Sequence, residues 1–143
     1  MPVAEARLSG QDEALLEAAR EIRKRAYIPY SHFAVGAAVL AADGRIFSGC
    51  NIENASYGLS MCAERVAAFH AVAAGARSLV AVAVVGPGAE PCRPCGACRQ
   101  VLREFGPGMR VIMAGETGPV DVCTLDDLLP RSFGPENLAS SQP

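Results

Sequence analysis

An uninterrupted run of seven apolar residues, Leu79–Val85 (LVAVAVV), constrains the fold of this chain more than any other stretch. A strand that is apolar at every position is typical of a sheet covered by helices on both faces. Helical patterns lie on either side of it, at Cys62–Ala74 before Gly75 and at Cys95–Phe105 before Gly106. The first of these is apolar on nearly all sides, so we expect that helix to be buried all round.

The remaining segments extend this pattern into one predicted domain over residues 1–143, with a core at about 9–138. A first helix starts at a capping signal, Ser9 and Asp12, and is predicted to stop at Pro29. The other predicted elements are strands at Phe33–Leu40, Arg45–Asn51, Arg110–Ala114 and Val120–Cys123, then a short helix at Leu125–Leu129 and a mostly polar tail. Together they predict a three-layer α/β/α fold with a mixed central sheet.

Composition and charge favour small-molecule partners over nucleic acid. Half of the residues are apolar and the formal net charge is −2, whereas nucleic-acid-binding proteins carry a basic surface. The clearest positive cluster, Arg23-Lys24-Arg25, is expected to be a solvated helix face. The longest apolar run is too short to span a bilayer, and no secretory signal pattern opens the chain. We therefore expect a cytoplasmic protein whose six cysteines serve metal binding or catalysis rather than disulfides.

Three of the cysteines lie close together in the stretch PCRPCGACRQ. Cys92, Cys95 and Cys98 follow one another at intervals of three, which gives two overlapping C-x-x-C pairs, and a metal site needs one of them. A fourth cysteine, Cys62, opens the preceding predicted helix, with Glu64 two residues later. In a parallel α/β layout both helix starts lie at neighbouring strand ends, so Cys62 is within reach of an ion held by the later cysteines.

The number of thiolates decides what such a site can do. Three thiolates and a vacant position describe a catalytic zinc site, and four describe a closed structural one. Glu64 favours the first interpretation, because a carboxylate beside the metal can move protons for an activated water. From the residues alone, both C-x-x-C pairs and both kinds of site remain open.

These motifs resemble the zinc-dependent cytidine deaminases of the small, homotetrameric type over roughly residues 9–138. The resemblance is carried by YSHFAVGAAV (30–39), GCNIENASYG (49–58), MCAERVA (61–67), PCGACRQV (94–101) and LLPRSFGPENL (128–138). It implies hydrolytic deamination of cytidine and 2′-deoxycytidine to uridine and 2′-deoxyuridine with release of ammonia, a step of pyrimidine salvage. It also implies a homotetramer with shared active sites in the cytoplasm.

The resemblance assigns the metal ligands and the proton shuttle. It implies that Cys62, Cys95 and Cys98 bind one Zn²⁺ per subunit, with Glu64 as the catalytic acid–base. A proline at the start of the second helix agrees, since it leaves the last two cysteines one turn apart on one helix face. Cys92 is then expected to be a spare loop thiol.

The resemblance also implies a set of substrate-binding residues: Phe33, Asn51, Glu53, Ala63, Tyr57 and Phe133. The amide and the carboxylate of the N-I-E stretch hold ribose hydroxyls, and the phenylalanine of the first strand packs on the pyrimidine. The backbone N–H of Ala63 faces the base. Tyr57 and Phe133 match positions that a neighbouring subunit contributes.

The other arginines, cysteines and histidines near these motifs are expected to have supporting or structural roles. A zinc ion with three thiolates carries a net charge of −1. Arg65 is predicted to hydrogen-bond to the thiolates and to offset this charge. For Arg99 a surface role is favoured. Cys50 and Cys123 are expected to be buried core thiols. Neither histidine matches a ligand position, and His70 is expected to be a core histidine.

Three other interpretations compete with this one. An enzyme of the same fold could act on a nucleoside antibiotic, although the intact N-I-E-N stretch disfavours it. A polynucleotide deaminase is disfavoured by the missing basic surface and by a cysteine as first ligand. A non-enzymatic zinc module would close a four-thiol site with Cys62, Cys92, Cys95 and Cys98, and it would leave Glu64 without a purpose.

Overall fold

Five strands form one mixed sheet in the computed structural model, which describes residues 8–139. The strands are β1 (Gly36–Ala41), β2 (Ile46–Cys50), β3 (Leu79–Val85), β4 (Arg110–Ala114) and β5 (Asp121–Thr124). Their order across the sheet is β2-β1-β3-β4-β5; β3 and β4 run parallel, and every other neighbouring pair is antiparallel. The bounds predicted for β3 and β4 are those observed. The single-domain prediction extends over residues 1–7 and 140–143, which lie outside the described residues.

Five α-helices accompany the sheet within residues 8–139. They are α1 (Gly10–Arg23), α2 (Ala63–Ala73), α3 (Gly96–Phe105), α4 (Leu125–Leu128) and α5 (Pro135–Ala139), with a 3₁₀ turn at Tyr57–Leu59. The sequence pattern indicated neither α5 nor the 3₁₀ turn. None of these helices is long and apolar enough to cross a membrane.

The first helix begins as predicted and ends earlier than predicted. The Ser9 hydroxyl accepts the Asp12 N–H, and the Asp12 carboxylate accepts the Ser9 N–H, which is a capping box. The helix ends at Arg23 rather than at Pro29. Local turn bonds follow over residues 24–26, and the Tyr27 N–H then donates to the carbonyl of Asn51 at 3.0 Å, so that the chain has left the helix for the sheet side.

The sheet has a helix layer on each face, as the three-layer prediction requires. Side chains of β3 alternate between two cores: Val82 and Val84 pack with α2 and α3, and Ala81, Ala83 and Val85 pack with α1. This alternation explains why the strand is apolar at nearly every position. The α/β/α prediction is confirmed.

Two glycines let the helices approach the sheet closely. A Cβ atom at Gly49 in β2 would lie 2.5 Å from the backbone nitrogen of Ala67 in α2. A Cβ atom at Gly36 in β1 would overlap the carbonyl oxygen of Ala19 in α1. The backbones of the two helices therefore lie in direct contact with the backbones of β1 and β2 at these glycines.

Two surface features differ from the sequence predictions. One face of α2 is exposed in the single chain, with Phe69 44% accessible, because the sheet covers only the opposite face. His70 lies on the exposed side rather than in the core; its Nδ1 is 3.2 Å from the carbonyl oxygen of Ser48, and its ring packs edge-on against Phe47.

The Arg23 side chain also differs from its expected solvated role. Its Nε donates to the carbonyl of Ala34 at 2.7 Å, and its Nη2 donates to Glu116 at 2.8 Å. It therefore fastens the end of α1 to the segment that leads into β1.

Candidate active site

Two helix N-termini meet at one edge of the molecule and carry three thiols between them. Cys62 and Cys95 are the N-cap residues of α2 and α3, both with extended backbone, and Cys98 lies one turn into α3. The N-terminus of a helix carries a partial positive charge, so both helices favour thiolates over thiols at this point.

The three sulfur atoms are placed to hold a metal ion. The Sγ atoms of Cys62, Cys95 and Cys98 all lie within 4.8 Å of one another, and those of Cys62 and Cys95 are 3.8 Å apart. Two sulfurs bound to one tetrahedral zinc at about 2.3 Å are separated by about 3.8 Å, so the geometry fits zinc. Three protein ligands leave the fourth position free for a water or a substrate atom.

Among the described residues, Cys92 is not part of the group formed by Cys62, Cys95 and Cys98. It packs against Gly86, where a Cβ atom would come within 2.8 Å of its sulfur, and it contacts the core beneath α2 and α3. Burial raises the pKa of the Cys92 thiol to about 11, and the nearby Glu64 charge acts in the same direction. Its sulfur is not one of the three that lie within 4.8 Å of one another, which supports the prediction that Cys92 is a spare thiol.

Arg65 hydrogen-bonds to one of the thiols, and Arg99 binds elsewhere. Nη2 of Arg65 donates to the sulfur of Cys62 at 3.4 Å. Hydrogen bonds from the Cys98 thiol and from Arg65 lower the pKa of Cys62 to about 5. The guanidinium of Arg99 instead donates to two backbone carbonyls, those of Pro94 and Leu128. Arg99 thus fastens α3 to α4 rather than touching a thiol.

Glu64 is the buried acid of the site. It is only 4% accessible, although it lies in the first turn of α2 and lines the cleft beside the thiols. Burial raises the pKa of Glu64 to about 7, and the negative charge of Cys62 acts in the same direction. A carboxyl group with a pKa near neutrality can both accept and donate a proton at physiological pH.

A cleft of about 410 Å³ opens above the thiols and Glu64. Four of the predicted substrate residues line it: Phe33, Asn51, Glu53 and Ala63. The cleft walls also contain Ser31, Val35 and Arg93, which the sequence motifs did not single out. Arg93 is paired with Asp121 at 2.9 Å.

Asn51 and Glu53 are both bound to the segment that carries Phe33. The Asn51 amide donates to the carbonyl of Phe33 at 2.8 Å and accepts the N–H of Val35 at 3.0 Å. The Glu53 carboxylate accepts the N–H groups of Tyr30 and Ser31 and the hydroxyl of Ser31. The cleft wall is therefore held together by the same side chains that were predicted to bind ribose.

Tyr57 lies beside the cleft, where it lines a neighbouring pocket with Ser31 and Glu53, whereas Phe133 is not among the described residues that line the cleft. Tyr57 is 74% accessible on the 3₁₀ turn, with its ring edge-on to Tyr30 at 5.7 Å between centroids. Phe133 is 59% accessible, and its carbonyl accepts a hydrogen bond from Gln100 at 2.9 Å. Both aromatic rings therefore face outward in the single chain.

The fold and this site define a zinc enzyme with three cysteine ligands and a neighbouring acid. A family model described as the cytidine and deoxycytidylate deaminase zinc-binding region matches residues 9–114. The cytidine deaminase of Sporosarcina psychrophila is 48% identical over 128 residues, which cover 89% of this chain and 94% of that protein.

Solved structures agree with the sequence relatives. The crystal structure of cytidine deaminase from Burkholderia pseudomallei is 51% identical with a TM-score of 0.82, and the match covers 88% of this chain and 100% of that one. That of cytidine deaminase from Mycobacterium tuberculosis is 43% identical with a TM-score of 0.74, and the match covers 85% and 96%. The chain belongs to the cytidine deaminase family, and the resemblance read from its motifs is confirmed.

Proposed function

We propose that this protein deaminates cytidine and 2′-deoxycytidine hydrolytically, giving uridine, 2′-deoxyuridine and ammonia for pyrimidine salvage. One observation carries the proposal: the buried carboxyl of Glu64 lines the same cleft as Cys62 and Cys95, where three thiols fit a zinc ion. A structural zinc site has no use for a buried acid beside an open coordination position. The relatives are cytidine deaminases, which supports the same substrate class.

Cys62, Cys95 and Cys98 would hold a zinc ion, which would supply a Lewis acid that lowers the pKa of a water molecule. Glu64 takes the proton of the attacking water and passes it to N3 of the pyrimidine ring. The oxygen of that water adds to C4 of the ring. Glu64 then takes a second proton from the C4 hydroxyl and passes it to the amino group, which leaves as ammonia. One carboxyl serves both steps because it is ionised before the first and protonated after it.

The cleft wall supplies the contacts that orient a nucleoside. Phe33 offers a ring face to the base, and the backbone N–H of Ala63 lies at a helix start where it can meet an acceptor on the base. Asn51 keeps one amide N–H after its bond to Phe33, and Glu53 keeps about one lone pair after its three bonds. One donor and one acceptor match a single hydroxyl, so both cytidine and 2′-deoxycytidine are accepted.

Charge argues for free nucleosides rather than nucleotides. The formal net charge is −2, and Glu53 places a carboxylate where the ribose is to bind. The Arg93 guanidinium on the cleft wall is already paired with Asp121. Cytidine 5′-phosphate and cytosine-containing oligonucleotides are therefore expected to be poor substrates.

We further propose a homotetramer with shared active sites, located in the cytoplasm. The exposed rings of Phe69, Tyr57 and Phe133 give the single chain apolar surface that a neighbouring subunit would cover. The cytoplasm suits the site because a reducing compartment preserves the three free thiols that bind the metal.

The activity is tested by following the loss of cytidine absorbance and the release of ammonia with the purified zinc-loaded protein. Turnover of cytidine and 2′-deoxycytidine supports the proposal. Turnover of a blasticidin-type nucleoside antibiotic with none of cytidine would favour the rival enzyme. A protein that binds zinc tightly and turns over neither would instead be a zinc module.

A further inference from the structure

The segment between α1 and β1 is fastened to one carboxylate. Oε1 of Glu53 accepts the N–H groups of Tyr30 at 3.0 Å and Ser31 at 3.1 Å, and Oε2 accepts the hydroxyl of Ser31. All three donors come from residues more than twenty positions earlier in the chain. Glu53 is therefore one of the groups that shape this segment, together with the Asn51 side chain and the backbone bond from His32 to Ile28.

The Ser31 hydroxyl has a second hydrogen bond, which leads to Phe33. While Oγ donates to Glu53, it accepts the N–H of Phe33 at 3.0 Å. His32, between them, has a left-handed backbone with φ of 57°, which a residue other than glycine adopts only when its surroundings hold it there. The strained residue turns the chain so that the N–H of Phe33 comes back to Ser31, as in a serine turn.

We propose that Ser31 is a positioning residue that fixes the Glu53 carboxylate and the Phe33 ring relative to each other. This inference rests on the proposed function, in which Glu53 meets the ribose and Phe33 meets the base. Ser31 itself touches neither reacting atoms nor metal ligands; it acts through the two residues that its hydroxyl connects.

The orientation of Glu53 depends on the hydrogen bond from the Ser31 hydroxyl to Oε2. With three donors in place, the carboxylate has about one lone pair left, on the oxygen that the Ser31 hydroxyl also contacts. That hydrogen bond is also the largest cause of a lowered pKa at Glu53, which keeps the group an acceptor. Without the hydroxyl, Oε2 loses its partner and the N–H of Phe33 loses its acceptor. The bonds that remain, from Tyr30 and Ser31 to the carboxylate and from Asn51 to the Phe33 carbonyl, hold the two groups less tightly relative to each other.

Loss of the Ser31 hydroxyl should affect some substrates more than others. Cytidine and 2′-deoxycytidine offer Glu53 a 3′-hydroxyl, whereas 2′,3′-dideoxycytidine has neither a 2′- nor a 3′-hydroxyl. Loss of Ser31 should therefore reduce the advantage of cytidine over the dideoxy compound. A change that only loosened the fold would lower the turnover of both compounds by the same factor.

The experiment compares kcat/KM for cytidine and 2′,3′-dideoxycytidine in the zinc-loaded wild type, Ser31→Ala and Ser31→Thr, with zinc content and Tm measured for each. Ser78→Ala is the matched control. Ser78 is an exposed serine that directly precedes β3, and it does not line the cleft. We expect Ser31→Ala to raise KM for cytidine by about tenfold, as for loss of a hydrogen bond to a charged group, with kcat and zinc content close to wild type. Ser31→Thr keeps the hydroxyl and should keep the preference for cytidine.

A double-mutant cycle keeps the inference testable if Ser31→Ala folds poorly. Ser31→Cys, with its weak S–H donor, is then combined with Glu53→Gln. If Ser31 acts through Glu53, its substitution should cost little more once Glu53→Gln is present. Equal losses for both substrates, or additive losses in the cycle, would overturn the inference.

Absence of cytidine turnover by the wild type would overturn the proposed function and the inference together, whereas wild-type turnover with an unchanged substrate ratio in Ser31→Ala overturns the inference alone.

Discussion

The sulfur atoms of Cys62 and Cys95 lie 3.8 Å apart although they cap two different helices. The separation is that of two ligands on one tetrahedral zinc ion. Neither helix alone makes the site, which exists because α2 and α3 begin at the same place. Single changes at the ligands should therefore affect the metal, and a change at the neighbouring Cys92 should not.

Metal content per chain separates the four thiols. Cys62→Ser, Cys95→Ser and Cys98→Ser should each weaken zinc binding by about tenfold or more and reduce activity severely, because a ligand is removed from a three-ligand site. Cys92→Ser should retain zinc and activity, since this thiol lines the cleft wall and is not one of the three grouped thiols. Zinc loss in Cys92→Ser with zinc retained in Cys98→Ser would show that the other C-x-x-C pair binds the metal.

Replacing Glu64 with glutamine should separate binding from chemistry. Glutamine keeps the size of the side chain and can still hydrogen-bond, so zinc and cytidine should remain bound. It cannot accept and return a proton, so kcat should fall by about 10²–10⁴-fold. Isothermal titration with cytidine and single-turnover assays measure the two effects. Near-normal kcat in Glu64→Gln would rule out the proposed proton shuttle.

Asp12 should make stability depend on pH in the acid range. Burial alone would raise the pKa of Asp12, but hydrogen bonds from the Ser9 N–H and Arg110 outweigh it and hold the pKa below its usual 3.8. A folded-state pKa below the unfolded one adds stability that is present above pH 3.8 and is lost as the pH falls through the folded value. Asp12→Asn should cost about 1 kcal/mol at pH 7.

The check is urea unfolding of Asp12→Asn and wild type from pH 7 down to pH 3, where the difference should shrink. Glu13→Gln serves as control, because it removes one negative charge from the same helical turn at an exposed position. A difference that stays constant over this range would mean that the charge of Asp12 does not stabilise the fold.

The close contact of α2 with β2 should make Gly49 intolerant of a side chain. A methyl group there would press on the backbone nitrogen of Ala67 at 2.5 Å, and the backbone of a helix cannot move aside as a flexible side chain would. Gly49→Ala should therefore destabilise the protein by about 1–3 kcal/mol. Thermal unfolding measures it against Gly10→Ala, where a Cβ atom meets nothing within 4 Å. Equal Tm values for the two variants would contradict the packing described.

Elements that depend on nearby residues were predictable from the sequence, and those set by distant contacts were not. The bounds of β3 and β4 and the starts of α1, α2 and α3 follow from apolar runs and capping residues. After the early end of α1 the chain is bound to the sheet side by a bond from Tyr27 to Asn51, which no local pattern reveals. In the site, the three thiols and Glu64 were found because they belong to short motifs. Ser31 was missed because its partner, Glu53, is 22 residues away.

The last prediction concerns whether active sites are shared between subunits. Phe133 is 59% accessible in the single chain, and its backbone carbonyl is held by Gln100, so the ring projects outward from a fixed point. In the proposed tetramer, closed symmetry would bring that ring to the cleft of a neighbour. Co-expression of Glu64→Gln subunits with Phe133→Ala subunits should then produce sites that combine an intact Glu64 with a neighbour's intact Phe133.

Random assembly from equal amounts of the two subunits gives such sites at about a quarter of all positions, so activity should exceed the sum of the two parents. Differently tagged subunits allow mixed tetramers to be purified and assayed with cytidine. Glu64→Gln co-expressed with Cys98→Ser is the control: both defects lie in the cleft of one chain, so a neighbour cannot complement them. Strictly additive activity in the first mixture, with Phe133→Ala clearly impaired by itself, would show that Phe133 serves its own chain.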